Sequence, residues 1–105
     1  MGQTDTFTHE SFLEHLNTTF RVVQTGGPPI ELELVSVTDH DSSPKQVQFS
    51  ICFRGPLETL LRQRTYSLLH DRLGEMELFL VPIARGSDGF RYEAVFNRFV
   101  EPAQA

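Results

Sequence analysis

The most regular pattern in the chain runs from Gln46 to Arg54, where Val47, Phe49, Ile51 and Phe53 alternate with Gln48, Ser50, Cys52 and Arg54. A period of two sends the two sets to opposite faces of a β-strand. The same period recurs along most of the chain. Thr19–Thr25 reads as a strand with Phe20 and Val22 on one face. In Ile30–Val37, Ile30, Leu32 and Leu34 alternate with Glu31 and Glu33, then Leu34-Val35 breaks the phase and a β-bulge would reset it. Thr65–His70 is a further strand, and Glu75–Pro82 follows with Met76, Leu78 and Leu80 facing the core. Phe79 and Val81 take the other side of that strand, which predicts cover on both faces. Phe90–Phe99 closes the set, with Tyr92, Ala94 and Phe96 inward.

Between these runs the punctuation is local. Gly26, Gly27, Pro28 and Pro29 make a turn, Thr38–Lys45 a polar loop, Asp71–Gly74 a turn, and Arg85–Gly89 a hairpin loop. Gly55-Pro56 ends a strand, and the spacing of Leu57, Leu60 and Leu61 predicts one turn of helix after it. The first element is helical. Thr8 caps it, Glu10 meets the positive end of its dipole, and Phe7 with Phe12 has the spacing of a hydrophobic staple. Phe12, Leu13 and Leu16 form its apolar stripe, and Asn17 stops it. The sum is a mainly β fold: a compact six-stranded antiparallel barrel or sandwich with one short N-terminal helix. A barrel manages the strand edges better, with the helix plugging an end or covering a face.

Length agrees with one domain over 1–105, its structured core spanning 7–100, and Pro102 opening a frayed tail. Nine Phe and two Tyr supply the apolar area for a core without metal or disulfide, and Cys52 stands alone. A net charge of −5, with Lys45 the only lysine, argues against nucleic acid as a partner. No apolar run approaches the roughly 18–20 residues a bilayer span needs, and Met1–Thr6 has no signal-like apolar region. A cytoplasmic protein without membrane contact is expected.

Candidate chemistry is sparse. His9 and His15 are six apart on the helix and so lie on different faces. His40 sits between Asp39 and Asp41 in a loop, short of the three or four convergent ligands a metal needs. His70 reads as a half-exposed strand end. Cys52 lacks a base to activate it and reads as a packed small hydrophobe. Glu31/Glu33 and Glu75/Glu77 occupy the solvated faces of their strands, with Arg91 and Glu93 as charge partners across the sheet. No catalytic residue, cofactor site or metal site is assigned. Arg54, Arg62, Arg64 and Arg72 make one segment locally basic in an acidic chain. Arginine forks suit carboxylates, so these four are the expected partner-binding residues.

Thr19-Phe20-Arg21-Val22, Phe53-Arg54-Gly55-Pro56, Leu78-Phe79-Leu80-Val81-Pro82 and Tyr92-Glu93-Ala94-Val95-Phe96-Asn97 follow one another in an order and spacing that resembles a family of small bacterial domains of unknown function. The resemblance runs from Phe7 onward and departs at Gln63-Arg64, where the family pattern has Gln-Gly. It implies a fold, carries over no catalytic residue, and points to genes near phage tail collar-like proteins. The expected role is a non-enzymatic interaction or accessory module with a protein partner, linked to a phage-tail-like assembly. The alternative is a small-ligand-binding barrel, enzymatic or not, with Phe49, Phe53, Tyr66, Tyr92 and Phe96 lining a cavity. Oligomeric state is left open.

Overall fold

The computed structural model describes residues 9–24, 26–40 and 46–99. The expectations for Phe7, Thr8, Thr25, the 41–45 segment and the 100–105 tail lie outside the described residues. One helix, α1 (His9–Leu13), precedes six strands: β1 (Thr19–Val22), β2 (Ile30–Asp39), β3 (Gln46–Gly55), β4 (Arg64–His70), β5 (Gly74–Gly86) and β6 (Gly89–Phe99). All pairings are antiparallel, and the strands close into a ring in the order β1-β2-β3-β6-β5-β4.

Alternation fills the ring. Phe20, Val22, Leu32, Leu34, Phe49, Ile51, Phe53, Leu68, Leu80 and Tyr92 are fully buried. Phe49 and Phe96 stack in parallel with centroids 4.6 Å apart, and Phe20 meets Phe53 edge-on at 5.2 Å. Helix α1 inserts Phe12 into this cluster, 5.4 Å from Phe96 and 6.3 Å from Phe20. That single side chain, with no exposed surface, fixes a helix too short to persist by propensity. The helix ends at Leu13, short of the stop expected at Asn17; turns follow it, and Asn17 then adopts φ +66° with its amide bonding the Leu34 carbonyl at 2.7 Å.

The bulge anticipated at Leu34-Val35 is present. Leu34 pairs with Phe53 and Ser36 with Cys52, so Val35 is the extra residue and Val37 turns inward again opposite Ile51. A second bulge was not legible. Pro82 pairs with Tyr92 and Ala84 with Arg91, leaving Ile83 unmatched. With its phase reset, β5 continues to Gly86, beyond the Pro82 boundary read from the sequence, and the hairpin loop shrinks to Ser87-Asp88. Cover on both faces of β5 is also corrected. Phe79 is 50 % exposed and Val81 is half-buried, because no element lies over that outer face among the described residues.

Strand β5 changes partner halfway. Residues up to Leu80 pair with β4, and Val81 onward pair with β6. The ring's closing seam is short. β1 and β4 share only Arg21↔Leu69 and Val22↔Leu68, extended by the Val23 amide bonding the Ser67 carbonyl at 2.9 Å.

The far end of the β3–β6 ladder is a pinch. A methyl at Gly55 would lie 2.8 Å from Leu32 Cδ2 and 2.9 Å from Tyr92 Cε2. One at Gly89, held at φ +142°, would run into the Gly55 carbonyl oxygen. Gly89→Ala is therefore expected to cost about 2–3 kcal/mol from backbone strain and overlap together. Gly74→Ala, at φ +84° in open space, should cost about 1 kcal/mol. Urea midpoints of the two variants check the order; equal losses would show that the pinch contributes nothing.

Candidate functional site

The segment joining β3 to β4 is where the sequence placed a turn of helix, and the structure has none there. Tyr92 explains the difference. Its hydroxyl, reaching up from the barrel interior, accepts the Leu61 amide at 2.9 Å and lies 3.5 Å from the Thr59 carbonyl. A helical turn would need that amide for itself. Leu61 is consequently drawn into the core, while Leu57 and Leu60 are left exposed. Burial pushes the Tyr92 phenol above its ordinary pKa of 10.0, against the opposing effect of the Leu61 amide bond. Tyr66 pins the end of the segment, donating its hydroxyl to the Arg62 carbonyl at 2.8 Å, and the Arg64 guanidinium lies 5.5 Å over the Tyr66 ring.

The four arginines expected to act together are dispersed. Arg62 and Arg64 are exposed side by side where the segment enters β4. Register sets Arg64 opposite buried Leu80 and Thr65 opposite Phe79, so the half-exposed Phe79 ring belongs to the strand face opposite to that of Arg64. Arg72 lies in the turn beyond the other end of β4, eight residues from Arg64 and roughly 20–25 Å away at strand rise. Arg54 faces outward from β3 and is held in an ion pair by Glu33.

Arg54 belongs to a charged row that crosses four strands. Register places Thr19 opposite Glu33, Glu33 opposite Arg54, and Arg54 opposite Arg91. Two guanidinium groups directly opposite repel one another. Each has its own carboxylate: Glu33 for Arg54 and, at 3.2 Å, Asp88 for Arg91. The hydrogen bond from Arg91 holds the Asp88 carboxyl below its ordinary pKa of 3.8. Arg91 is thus answered within its hairpin by Asp88 and not, as the sequence suggested, by a strand glutamate across the sheet. Beside the row lies a groove of about 850 Å³, lined by Gln24, Pro28 and Pro29 before β2, by Glu31, Glu33 and Arg54, by Pro56 and Thr59 after β3, and by Asp88.

The remaining residues singled out from the sequence have structural neighbours. His9 sits edge-on to Phe49 and His15 edge-on to His70, so the two helix histidines do point apart. His40 hydrogen-bonds the Ser50 hydroxyl at 2.8 Å. Cys52 faces outward, half-buried, and burial pushes its thiol above the ordinary 9.0 while the Arg91 guanidinium pulls the other way. Glu75 and Glu77 are exposed on the outer face of β5. Among the described residues, no three of His, Cys, Asp or Glu converge as a metal site would require, and no helix is long and apolar enough to cross a membrane. His70 is the clear misreading. It is 6 % exposed rather than half-exposed, because its ring packs 4.4 Å from Phe20 at the ring seam.

A family model described as a domain of unknown function, DUF6916, matches residues 7–96. Neither a curated protein nor a solved structure matches the chain.

The charged row yields a test of its own. Glu33→Gln leaves Arg54 facing Arg91 without its carboxylate and should cost about 0.5–1 kcal/mol, more at low salt than at high. Adding Arg54→Gln should recover most of that loss. Thermal melts of the single and double variants at two ionic strengths measure it; an additive, salt-independent pair would rule the repulsion out.

Proposed function

The chain belongs to the DUF6916 family of domains of unknown function, and for this member we propose a non-enzymatic role as an interaction or accessory module that docks on a protein partner. The surface it presents is the segment between β3 and β4. The observation that carries this reading is the exposure of Leu57 and Leu60 beside Arg62 and Arg64, on a segment held to the barrel by Tyr92. Apolar side chains rimmed by arginine suit a partner with an apolar centre and carboxylates around it. A segment already ordered loses less conformational freedom on docking than a floppy loop. Arg72, at the other end of β4, lies away from this surface, and Arg54 is taken up by Glu33 beside the groove. The sequence resemblance supports a partner within a phage-tail-like assembly, and the single cysteine, Cys52, supports a cytoplasmic setting.

The four proposed contact residues that are exposed can be changed with little effect on folding. Leu60→Asp and Arg62→Glu are each expected to reduce recovery of the partner at least tenfold in quantitative co-purification at native expression, with the melting temperature unchanged. Equal recovery by the variants, or a wild-type protein that purifies as a lone monomer, would remove the proposal. The interior cavity expected behind Phe49, Phe53, Tyr66, Tyr92 and Phe96 is not there among the described residues, since Phe49, Phe53 and Tyr92 are fully buried and Phe96 stacks on Phe49. A second reading, small-ligand binding by the barrel, rests instead on the outer groove beside Glu33 and Arg54. It calls for ligand-dependent shifts of the Glu31, Glu33 and Arg54 amide resonances in a small-molecule screen; resonances that stay in place discard it.

A further inference from the structure

The His70 imidazole sits at the seam that closes the ring, and each of its nitrogens has a defined task. Nδ1 receives two backbone amides of the β4–β5 turn, Arg72 at 3.0 Å and Leu73 at 3.1 Å. Nε2 lies 2.9 Å from the Thr18 hydroxyl oxygen. That hydroxyl gives its own hydrogen to the His15 carbonyl at 2.6 Å, so toward His70 it can only accept. The ring is therefore the neutral tautomer with hydrogen on Nε2 and a lone pair on Nδ1. Through it the turn after β4, the residue before β1 and the end of the α1 segment are tied together.

We propose that His70 is the pin of a proton-operated clip, whose protonation releases the β4–β5 turn from the end of the α1 segment and loosens the β1–β4 seam. A second proton can enter only at Nδ1, where it would point at two amide hydrogens already aimed at that atom. The ring packs against Phe20 and the His15 ring edge and is only 6 % exposed, on the wall of an open cleft of about 290 Å³ shared with Thr18, Arg21 and Asp71, so little of it is free for water to replace the lost bonds in place. The charged surroundings do not help. His15 from the helical segment, Arg21 from β1 and Arg72 from the turn all disfavour a cation, and only Asp71 favours one. The Asp71 carboxylate is itself paired with Arg21 at 2.8 Å. Burial first, then His15, holds His70 below its ordinary pKa of 6.5. A group held low in this way contributes stability that is complete above about pH 6.5. That stability is lost as the pH falls toward the folded-state value, so acid weakens the clip. In that window the opening equilibrium grows up to about tenfold per pH unit.

The clip is independent of the docking surface, which lies at the other end of β4, and is tested on the whole chain without any partner. Amide exchange by NMR between pH 7.5 and 5 should show protection factors for Arg72 and Leu73 falling at least tenfold. Those of Ile51 and Phe53 in β3 should fall much less. The His70 ring protons should titrate below the ordinary histidine range. Exchange that changes uniformly, or not at all, would overturn the proposal, as would a ring titrating at or above 6.5. In His70→Gln, where a carbonyl and an amide replace the two nitrogens without titrating, the pH dependence at Arg72 and Leu73 should disappear; its persistence counts against the pin. Should that variant fail to fold, the wild-type titration and exchange decide the matter alone.

Discussion

The weakest join in the ring is the one on which its closure depends. β1 is four residues long and meets β4 through two residue pairs, whereas β3 and β6 are paired along ten. Two backbone pairs alone would leave a gap through which the barrel could unroll. Side chains lengthen the join: Thr18 to His70 just before β1, and Arg21 to Asp71 just past β4. Both bonds reach across the seam from residues flanking the ladder, so the ring is closed as much by side-chain chemistry as by strand pairing. Phe20, packed on His70 and on Phe12, ties the same place to the interior.

From that closure the rest of the fold follows by filling. A closed ring of six strands is filled by the side chains that alternate inward, so phase must be kept all round it. Phase is what a sequence displays best. The alternation in β3, the bulge after Leu34 and the left-handed turn at Asn17 were all legible because each is a local signal, whereas the helix itself stops earlier, at Leu13. What stayed hidden depends on distant partners. The amide of Leu61 is taken by a hydroxyl thirty-one residues later, so leucines with helical spacing do not form a helix. His70 sits at the end of its strand in sequence but under Phe20 in space. Ile83 follows a proline, a common punctuation mark for a strand's end, yet the bulge there lets the strand go on.

Charge tells a similar story. A count of arginines along the chain suggests one basic patch, but register sets Arg54 against Glu33 and Arg91, and distance removes Arg72 from Arg64. What a sequence cannot show is which charges have already found each other. Arg62 and Arg64 were legible as candidates because they fall in a locally basic run, at the end of a connecting segment and the start of β4. The exposed leucines beside them were not, since their exposure results from the absence of a helix.

The change of partner halfway along β5 leaves Val81–Gly86 hydrogen-bonded on the β6 side alone among the described residues. A naked strand margin ordinarily invites another chain to continue the sheet. Here Pro82 offers no N–H, Ile83 is kinked out of line, and Arg85 adds charge. Such a margin is a poor template for fibril growth even with that flank uncovered.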